Sequence, residues 1–176
     1  MAECGVIGPD ERVELIDGEV VPLSAHDKIH SDSIGLATNL LVRLYGATHL
    51  VRVGLPIQVG DYSEPEPDFA LVRPEHQAES DRHPTKPDLV IEVSFTSLAN
   101  DRMRKTFLYA SAGIPEYWII NLSERCLERY LEPGTDKTAP FGHSYAVRKV
   151  FGEQEQVKPT QIPGDPVLVG ELMAPA

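Results

Sequence analysis

The sequence is poor in cysteine, in positive charge and in long hydrophobic runs. Its 176 residues include 2 cysteines, Cys4 and Cys126, which are too few for a disulfide-built scaffold or a four-thiolate zinc site. Apolar segments such as LVIEV and YWII are far shorter than the roughly 20 residues that span a bilayer, so no association with a membrane is expected. The first residues show no basic region followed by an apolar core, so no secretory signal is expected. We expect a soluble protein of a reducing cytoplasm.

Positive charge is outnumbered by negative charge. Lysine and arginine together number 16 against 27 aspartates and glutamates, which gives a net charge of −11 with histidine neutral. This balance excludes a protein that holds nucleic acid by being basic over its whole surface. It leaves open an enzyme that meets phosphate groups through a metal ion or a local basic patch. Zinc is disfavoured, because the histidines other than His30 show no spacing typical of a zinc site. These are His26, His49, His76, His83 and His143.

Length and composition predict one folded domain over residues 1–176. Hydrophobic residues make up 41% of the chain and charged residues 24%, as in ordinary globular proteins. The apolar pattern begins with a predicted β-hairpin that turns at Asp17-Gly18, a pair suited to positive φ angles. A helix is then predicted from after Ser24 to about Tyr45. Its buried face is predicted to contain Ile29, Leu36, Leu40 and Leu44.

Strands and one further helix follow. Strands are predicted at HLVRV and LPIQV, joined at Gly54, and at FALV, DLVIEVS and EYWII, with a polar loop over residues 73–87. The helix LANDRMRKTFLYASAG lies between the last two of these strands, which predicts a mixed α/β sheet. Met103, Phe107 and Ala110 are predicted to line one side of it, with Leu108 and Tyr109 beside them. Extra C-terminal strands are predicted at 126–131 and 144–151, before a short element in GDPVLVGELM.

An acidic residue lies inside the most apolar predicted strand. In LVIEV, Glu92 shares one strand face with Val90 and Ser94. A buried carboxylate is costly unless it is paired, hydrogen-bonded or bound to a metal, so a buried salt bridge remains an alternative. Asp68 favours a metal site, because it precedes the strand FALV and carboxylates on adjacent strands, about 4.8 Å apart, can share a divalent cation. Asp88 lies roughly 13 Å from Glu92 along the same strand and is interpreted as a strand-start residue.

Lys105 is the candidate cation for this site. It lies on the helix after the Glu92 strand, four residues after Asp101 and on the same helix face. A helix returning over the sheet could bring its ammonium group to a phosphate oxygen or to a metal-bound water. The alternative is an exposed ion pair with Asp101, of small energetic value. Arg102 and Arg104 form a dense basic cluster with Lys105, which a solvated helix end explains equally well.

A longer stretch around these residues has a family resemblance. PDLVIEVSFTSLANDRMRKTFLYASAGIPEYWII resembles the Uma-two family of restriction-endonuclease-like proteins, a branch of the PD-(D/E)XK nuclease superfamily. The blocks VELIDGEVV and EPDFALV and the helix around His30 fit the same family, so the resemblance spans about residues 12–131. It implies a restriction-endonuclease-like mixed β-sheet flanked by helices, DNA as substrate, and Mg²⁺ or Mn²⁺ as cofactor.

The resemblance also implies which residues hold the metal. Asp68 and Glu92 match the family's metal-binding acids, and the backbone carbonyl of Val93 is expected to join them. In the wider superfamily a lysine lies two residues after the second acid, but this chain has Ser94 there. In the family the lysine appears on the following helix, which points to Lys105.

Supporting roles are implied for other residues. Asp101 accompanies the lysine, and family blocks place Glu14 and His30 near the site. Glu14 would add a ligand or orient a water, and His30 would contact a phosphate or transfer a proton. An exposed strand acid and a surface helix histidine are the alternative interpretations of these two. Helix capping and turn bonding account for Ser94 and Ser97, and core packing or a subunit contact accounts for residues 115–118.

Two classes of function follow from these features. The first is a metal-dependent endonuclease that hydrolyses DNA phosphodiester bonds as a homodimer, with weak and metal-dependent binding of DNA. The second is a non-catalytic dimeric binding or regulatory protein that retains the nuclease fold, which Ser94 and the charge of −11 both favour. A metal-dependent hydrolase of a smaller phosphate ester is a third possibility, because nothing in the sequence indicates direct contact with bases.

Overall fold

The computed structural model describes residues 12–23, 27–78 and 83–175. Cys4, Ser24 and His26 lie outside these ranges, and so do parts of the predicted loop over residues 73–87. The first half of the described chain contains the elements β1 (Val13–Ile16), β2 (Glu19–Pro22), α1 (Lys28–Tyr45), β3 (Leu50–Val53), β4 (Phe69–Val72), α2 (Pro74–Ala78) and β5 (Leu89–Ser94).

The second half begins with a helix made of three consecutive pieces. These are α3 (Leu98–Asn100), a π-helical turn (Asp101–Lys105) and α4 (Thr106–Ser111). The remaining strands are β6 (Glu116–Asn121), β7 (Cys126–Thr135), β8 (His143–Gly152), β9 (Gln156–Val157) and β10 (Val167–Leu168). Short 3₁₀ turns follow β7, at Pro140–Gly142, and β10, at Val169–Leu172.

The centre of the fold is a 6-stranded mixed sheet in the order β3-β4-β5-β6-β7-β8. Strands β5 and β6 run parallel, and the helix between them makes the crossover. The other neighbouring pairs in the sheet are antiparallel. The β1–β2 hairpin and the β9–β10 pair are separate 2-stranded sheets. The predicted mixed α/β sheet with an N-terminal hairpin and C-terminal strands is therefore confirmed.

Each face of the sheet is covered by a different layer. Leu89, Ile91 and Val93 of β5 pack with α1 and with the C-terminal segment. Val90, on the opposite face, packs with Leu108 and Tyr109 of α4. The alternation of side chains along β5 therefore places Glu92 and Ser94 on the α4 side of the sheet.

The predicted buried face of the first helix was partly wrong. Leu40 is buried, but Leu36 is 43% exposed. The buried stripe instead includes Ser33, Ala37 and Leu41. Ser33 takes an inward position because its hydroxyl accepts a hydrogen bond from the backbone N–H of Ala174 at 2.9 Å, in the covering C-terminal segment.

Two strand and loop predictions also needed correction. The segment LPIQV is not a strand, because its backbone N–H groups at Ile57 and Gln58 donate to the carbonyls of Pro65 and Pro84 in separate loops. The polar loop after FALV contains the short helix α2. No helix in the described ranges is both long and apolar enough to cross a membrane.

The family-like residues Glu116, Tyr117 and Trp118 lie in the core. All three are at most 1% exposed. Glu116 accepts hydrogen bonds from the indole N–H of Trp118 at 2.6 Å and from the backbone N–H of Thr160 at 2.7 Å. It therefore connects β6 to the C-terminal segment, which agrees with the core-packing interpretation.

Candidate metal-binding site

The site lies where β4 begins and β5 ends, at one edge of the sheet. The two strands are antiparallel, with Phe69 opposite Ile91, so Asp68 at the entry of β4 lies beside the end of β5. The backbone N–H of Val93 donates to Oδ2 of Asp68 at 2.7 Å. The backbone N–H of Asp68 lies 3.4 Å from Oε2 of Glu92. Strand pairing thus brings together the two acids that the sequence paired.

A cleft of about 380 Å³ opens at this edge. Every side chain that the sequence analysis proposed for the site lines it. These residues are Glu14, His30, Asp68, Glu92, Asp101 and Lys105, and Val93 lines the same cleft. The exposed alternatives for Glu14 and Lys105 are wrong, since these residues are 3% and 4% exposed.

Lys105 is the central cation of the cleft. Its Nζ lies 3.0 Å from Oε1 of Glu92 and 3.3 Å from Oε2 of Glu14. Burial lowers the pKa of Lys105, but the charges of Glu92, Glu14 and Asp101 raise it by a larger amount. The net pKa is therefore raised, and the ammonium group stays protonated.

The residues of the π-helical turn differ in whether they face the cleft or the solvent. Asp101 and Lys105 are its buried residues, whereas Met103 is 67% exposed. The predicted apolar side of the helix therefore does not face inward at Met103. The inward positions of this turn belong to the polar residues of the site.

Glu92 is a buried acid of the cleft, with 3% of its surface exposed. Its Oε1 accepts a hydrogen bond from the hydroxyl of Tyr109 at 2.7 Å as well as from Lys105. Burial raises the pKa of Glu92, Lys105 lowers it, and the charges of Asp101 and Asp68 raise it again. The net pKa is above the ordinary value, because burial disfavours the charged form and one ammonium group does not neutralise the neighbouring carboxylates.

Asp101 is held by two serines. Ser94 Oγ and Ser97 Oγ donate to its Oδ2 at 2.5 and 2.7 Å. Ser97 is the N-cap residue of α3 but makes no side-chain capping bond, so its hydroxyl holds Asp101 and not the helix end. Burial raises the pKa of Asp101, the charge of Lys105 and the two serine hydrogen bonds lower it, and the net pKa is raised. Ser94, at the position where the superfamily has its lysine, therefore orients an acid.

His30 joins the site from the first turn of α1. Asp27 caps this helix by accepting the backbone N–H of His30 at 2.9 Å. The His30 Nε2 lies 3.3 Å from Oδ2 of Asp68. Burial lowers the pKa of His30, but Asp68, Asp27 and a backbone hydrogen bond with Val93 raise it more, so the net pKa is raised. A larger fraction of the imidazole is therefore protonated near neutral pH.

Other charged residues singled out by the sequence have structural partners. Asp88 accepts from Arg73 Nε at 2.7 Å and lies 2.9 Å from His49 Nε2, which agrees with its interpretation as a strand-start residue. Arg102 pairs with Glu124 and with Glu128. The interpretation of a solvated basic helix end is wrong for Arg102, because it is held against β7.

The arrangement of acids is suited to a hard divalent cation. The acids Glu14, Asp68, Glu92 and Asp101 line one cleft in which Lys105 is the ammonium group. Carboxylate and backbone carbonyl oxygens are the ligands that Mg²⁺ and Mn²⁺ prefer. Asp68 and Glu92 supply two carboxylates to the cleft, and Val93, next to Glu92 in β5, donates its backbone N–H to Asp68. The donor set and the excess of negative charge both fit the ion.

A second cluster in the described ranges also groups potential ligands. Atoms of Glu124, Cys126 and Glu128 lie within 4.8 Å of one another. Glu128, however, accepts hydrogen bonds from Arg102 and from Arg148. Burial raises the pKa of Glu128, but the hydrogen bonds from Arg102, Tyr130 and Arg148 lower it to about 2. Protein cations already neutralise the Glu128 carboxylate of this cluster, which leaves less negative charge there for a metal ion.

Tyr109 is the residue of the site that the sequence analysis missed. It was placed on the helix only as a packing residue. A signal was present, because Asp101, Lys105 and Tyr109 recur every four residues, which places them on one helix face. That face points at the acid in β5.

Comparisons with known proteins agree with this fold. A crystal structure described as a "putative nuclease" from Anabaena variabilis matches with a TM-score of 0.70 and 14% identity, over 97% of this chain and 94% of the other. The type IIG restriction endonuclease BpuSI matches with a TM-score of 0.36 and 15% identity, over 80% of this chain and 14% of the other, which is too low a similarity to support an argument. No curated protein sequence matches the chain.

Family membership rests on the sequence match. The model of the family Uma2, described as "Putative restriction endonuclease", matches residues 2–167. This range contains every residue of the cleft and extends beyond the 12–131 span of the resemblance seen in the sequence. The chain belongs to the Uma2 family of restriction-endonuclease-like proteins.

Proposed function

We propose that this protein is a divalent-metal-dependent endonuclease that hydrolyses DNA phosphodiester bonds. The family and the fold of its structural neighbour indicate a restriction-type nuclease. The observation that supports metal-dependent hydrolysis is the cleft itself, in which Asp68 and Glu92 meet at one sheet edge with Lys105 between Glu92 and Glu14. Asp68, Glu92 and the backbone carbonyl of Val93 would hold Mg²⁺ or Mn²⁺.

The bound ion would supply positive charge that polarises the phosphodiester and lowers the pKa of the attacking water. Lys105 holds Glu92 in place and offers an ammonium group to the charge that develops on the phosphate. His30, with its raised pKa and its contact with Asp68, is placed to donate a proton at the open side of the cleft. Glu14 and Asp101 hold Lys105 by their charge.

The negative charge of the protein shapes how DNA would bind. The net charge is −11, and Arg102 is occupied by Glu124 and Glu128. DNA binding is therefore weak, metal-dependent and sensitive to salt. A homodimer in the cytoplasm remains part of the proposal, because two copies would supply one cleft for each strand of a duplex.

Cleavage by acid-to-amide variants tests this function. In Mg²⁺ or Mn²⁺, the wild-type protein should cut DNA, and Asp68→Asn or Glu92→Gln should reduce cleavage below detection while circular dichroism remains unchanged. Glu124→Gln is the matched control, because it removes a carboxylate from the second cluster and should cut at the wild-type rate. Undiminished cleavage by both site variants would contradict the assignment. Absence of metal binding by the wild-type protein would favour a non-catalytic binding protein with this fold.

A further inference from the structure

The two carboxylate oxygens of Glu92 have different surroundings. Oε1 accepts hydrogen bonds from the Tyr109 hydroxyl at 2.7 Å and from Lys105 Nζ at 3.0 Å. Oε2 lies on the side of Asp68, and its distance to the Asp68 backbone N–H is longer, at 3.4 Å. Two strong donors therefore hold one oxygen, and the other faces the second acid of the proposed metal site.

Tyr109 is held rigidly in this position. Its side chain is 0% exposed, and its ring packs edge-to-face on Tyr117 with the ring centroids 5.0 Å apart. Burial and the charge of Glu92 raise the pKa of Tyr109 well above its ordinary value, so the hydroxyl keeps its proton and remains a donor. Tyr109 follows Lys105 by four residues, so both donors come from one helix face.

We propose that Tyr109 is a positioning residue for the metal site. Its hydroxyl, together with Lys105, holds Oε1 of Glu92 and leaves Oε2 to bind the divalent cation. This inference rests on the proposed metal-dependent function and adds to it a residue that contacts neither metal nor substrate. Partners that orient a metal-binding side chain commonly change metal affinity by 10–100-fold when removed.

Tyr145 provides a matched control for a purely structural tyrosine. Its hydroxyl donates to the backbone carbonyl of Ile114 at 2.9 Å, and its ring stacks on Tyr117 with centroids 6.4 Å apart. Replacing either Tyr109 or Tyr145 by phenylalanine removes one hydroxyl hydrogen bond from the same aromatic cluster. The change at Tyr109 alone affects Glu92.

The test measures Mn²⁺ affinity by titration calorimetry in the wild-type, Tyr109→Phe and Tyr145→Phe proteins. We expect Tyr109→Phe to bind Mn²⁺ about 10-fold more weakly, and Tyr145→Phe to bind it with wild-type affinity. The Mn²⁺-induced rise in melting temperature gives a second reading, and it should be smaller for Tyr109→Phe alone. In cleavage assays, Tyr109→Phe should need more Mn²⁺ for half-maximal rate and should approach the wild-type rate at saturation.

Wild-type Mn²⁺ affinity in Tyr109→Phe would overturn the inference and leave the proposed function intact. An equal loss of affinity in both variants would also overturn it, because it would show a general effect of loosening the aromatic cluster. If the wild-type protein does not bind Mn²⁺, the proposed function itself fails and the inference fails with it.

Discussion

Two buried acids on neighbouring parts of one sheet have opposite environments. Glu128 on β7 is 0% exposed and accepts hydrogen bonds from Arg102, Arg148 and Tyr130, which lower its pKa to about 2. Glu92 on β5 is 3% exposed, and its raised pKa reflects its burial and the nearby acids. Both side chains are buried, and they differ in how deeply the protein encloses them and in the number of cations available to each carboxylate.

The same helical turn supplies cations to both regions. Within Asp101–Lys105, Arg102 reaches Glu128 and Lys105 reaches Glu92. Glu128 also receives Arg148, whereas Glu92 shares Lys105 with Glu14. A carboxylate that is paired with cationic side chains of the protein forms a structural ion pair. A group of carboxylates with too few cationic side chains is suited to binding a metal cation. The account therefore assigns stability to the first region and chemistry to the second.

The largest expected effect is on the cation of the cleft. Lys105→Met should lower the DNA cleavage rate by about 10³-fold, equivalent to about 4 kcal/mol of transition-state stabilisation, because it removes a preorganised positive charge. The measurement is single-turnover cleavage at saturating Mn²⁺. Arg104→Met is the control from the same turn. Its guanidinium pairs with the exposed Glu19, 2.7 Å away, so cleavage should change by less than about twofold. Equal losses in the two variants would remove the distinction between the cleft and the rest of the turn.

A smaller effect is expected on stability, where substitutions of Glu128 and Glu92 should differ. At pH 7, Glu128→Gln should reduce the free energy of unfolding by about 3 kcal/mol, because it leaves two arginines without their shared buried carboxylate. Glu92→Gln should change it by less than about 1 kcal/mol, because an amide still accepts hydrogen bonds in a site with excess negative charge. Urea denaturation measures both.

The pH dependence of stability provides a control for this comparison of the two variants. The pKa of Glu128 is lowered from 4.5 to about 2, so its contribution is complete above pH 4.5 and is lost as the pH falls toward 2. The deficit of Glu128→Gln should therefore shrink over that range. The pKa of Glu92 is raised from 4.5, so its contribution is complete below that pH and is lost as the pH rises through the folded-state pKa. The free energy of unfolding of Glu92→Gln, relative to that of the wild-type protein, should therefore increase as the pH rises. Parallel curves for the two variants would contradict the comparison.

Much of the site could be predicted from sequence because its acids break local rules. An acid inside an apolar strand is detectable without a structure, and Glu92 is such a residue. Asp68 follows from its position at the entry of a neighbouring strand. The mixed sheet follows from short apolar strand segments and from the helix that lies between two of them. These signals depend only on residues a few positions apart.

The remainder depends on contacts that sequence spacing does not reveal. The inward face of the second helix was mistaken at Met103, because the polar residues Asp101 and Lys105 take the inward positions of that turn. The partner of Arg102, Glu128, lies 26 residues away on a different element. The role of Tyr109 required knowing that the helix packs over β5.

The central claim is that the cleft, and not the neutralised cluster, holds a divalent cation. Titration calorimetry with Mn²⁺ on the wild-type, Asp68→Asn and Glu124→Gln proteins tests it most directly. The account predicts that the wild-type and Glu124→Gln proteins bind Mn²⁺ with equal affinity and that Asp68→Asn does not bind it at millimolar concentration. Binding that survives in Asp68→Asn and disappears in Glu124→Gln would contradict the account.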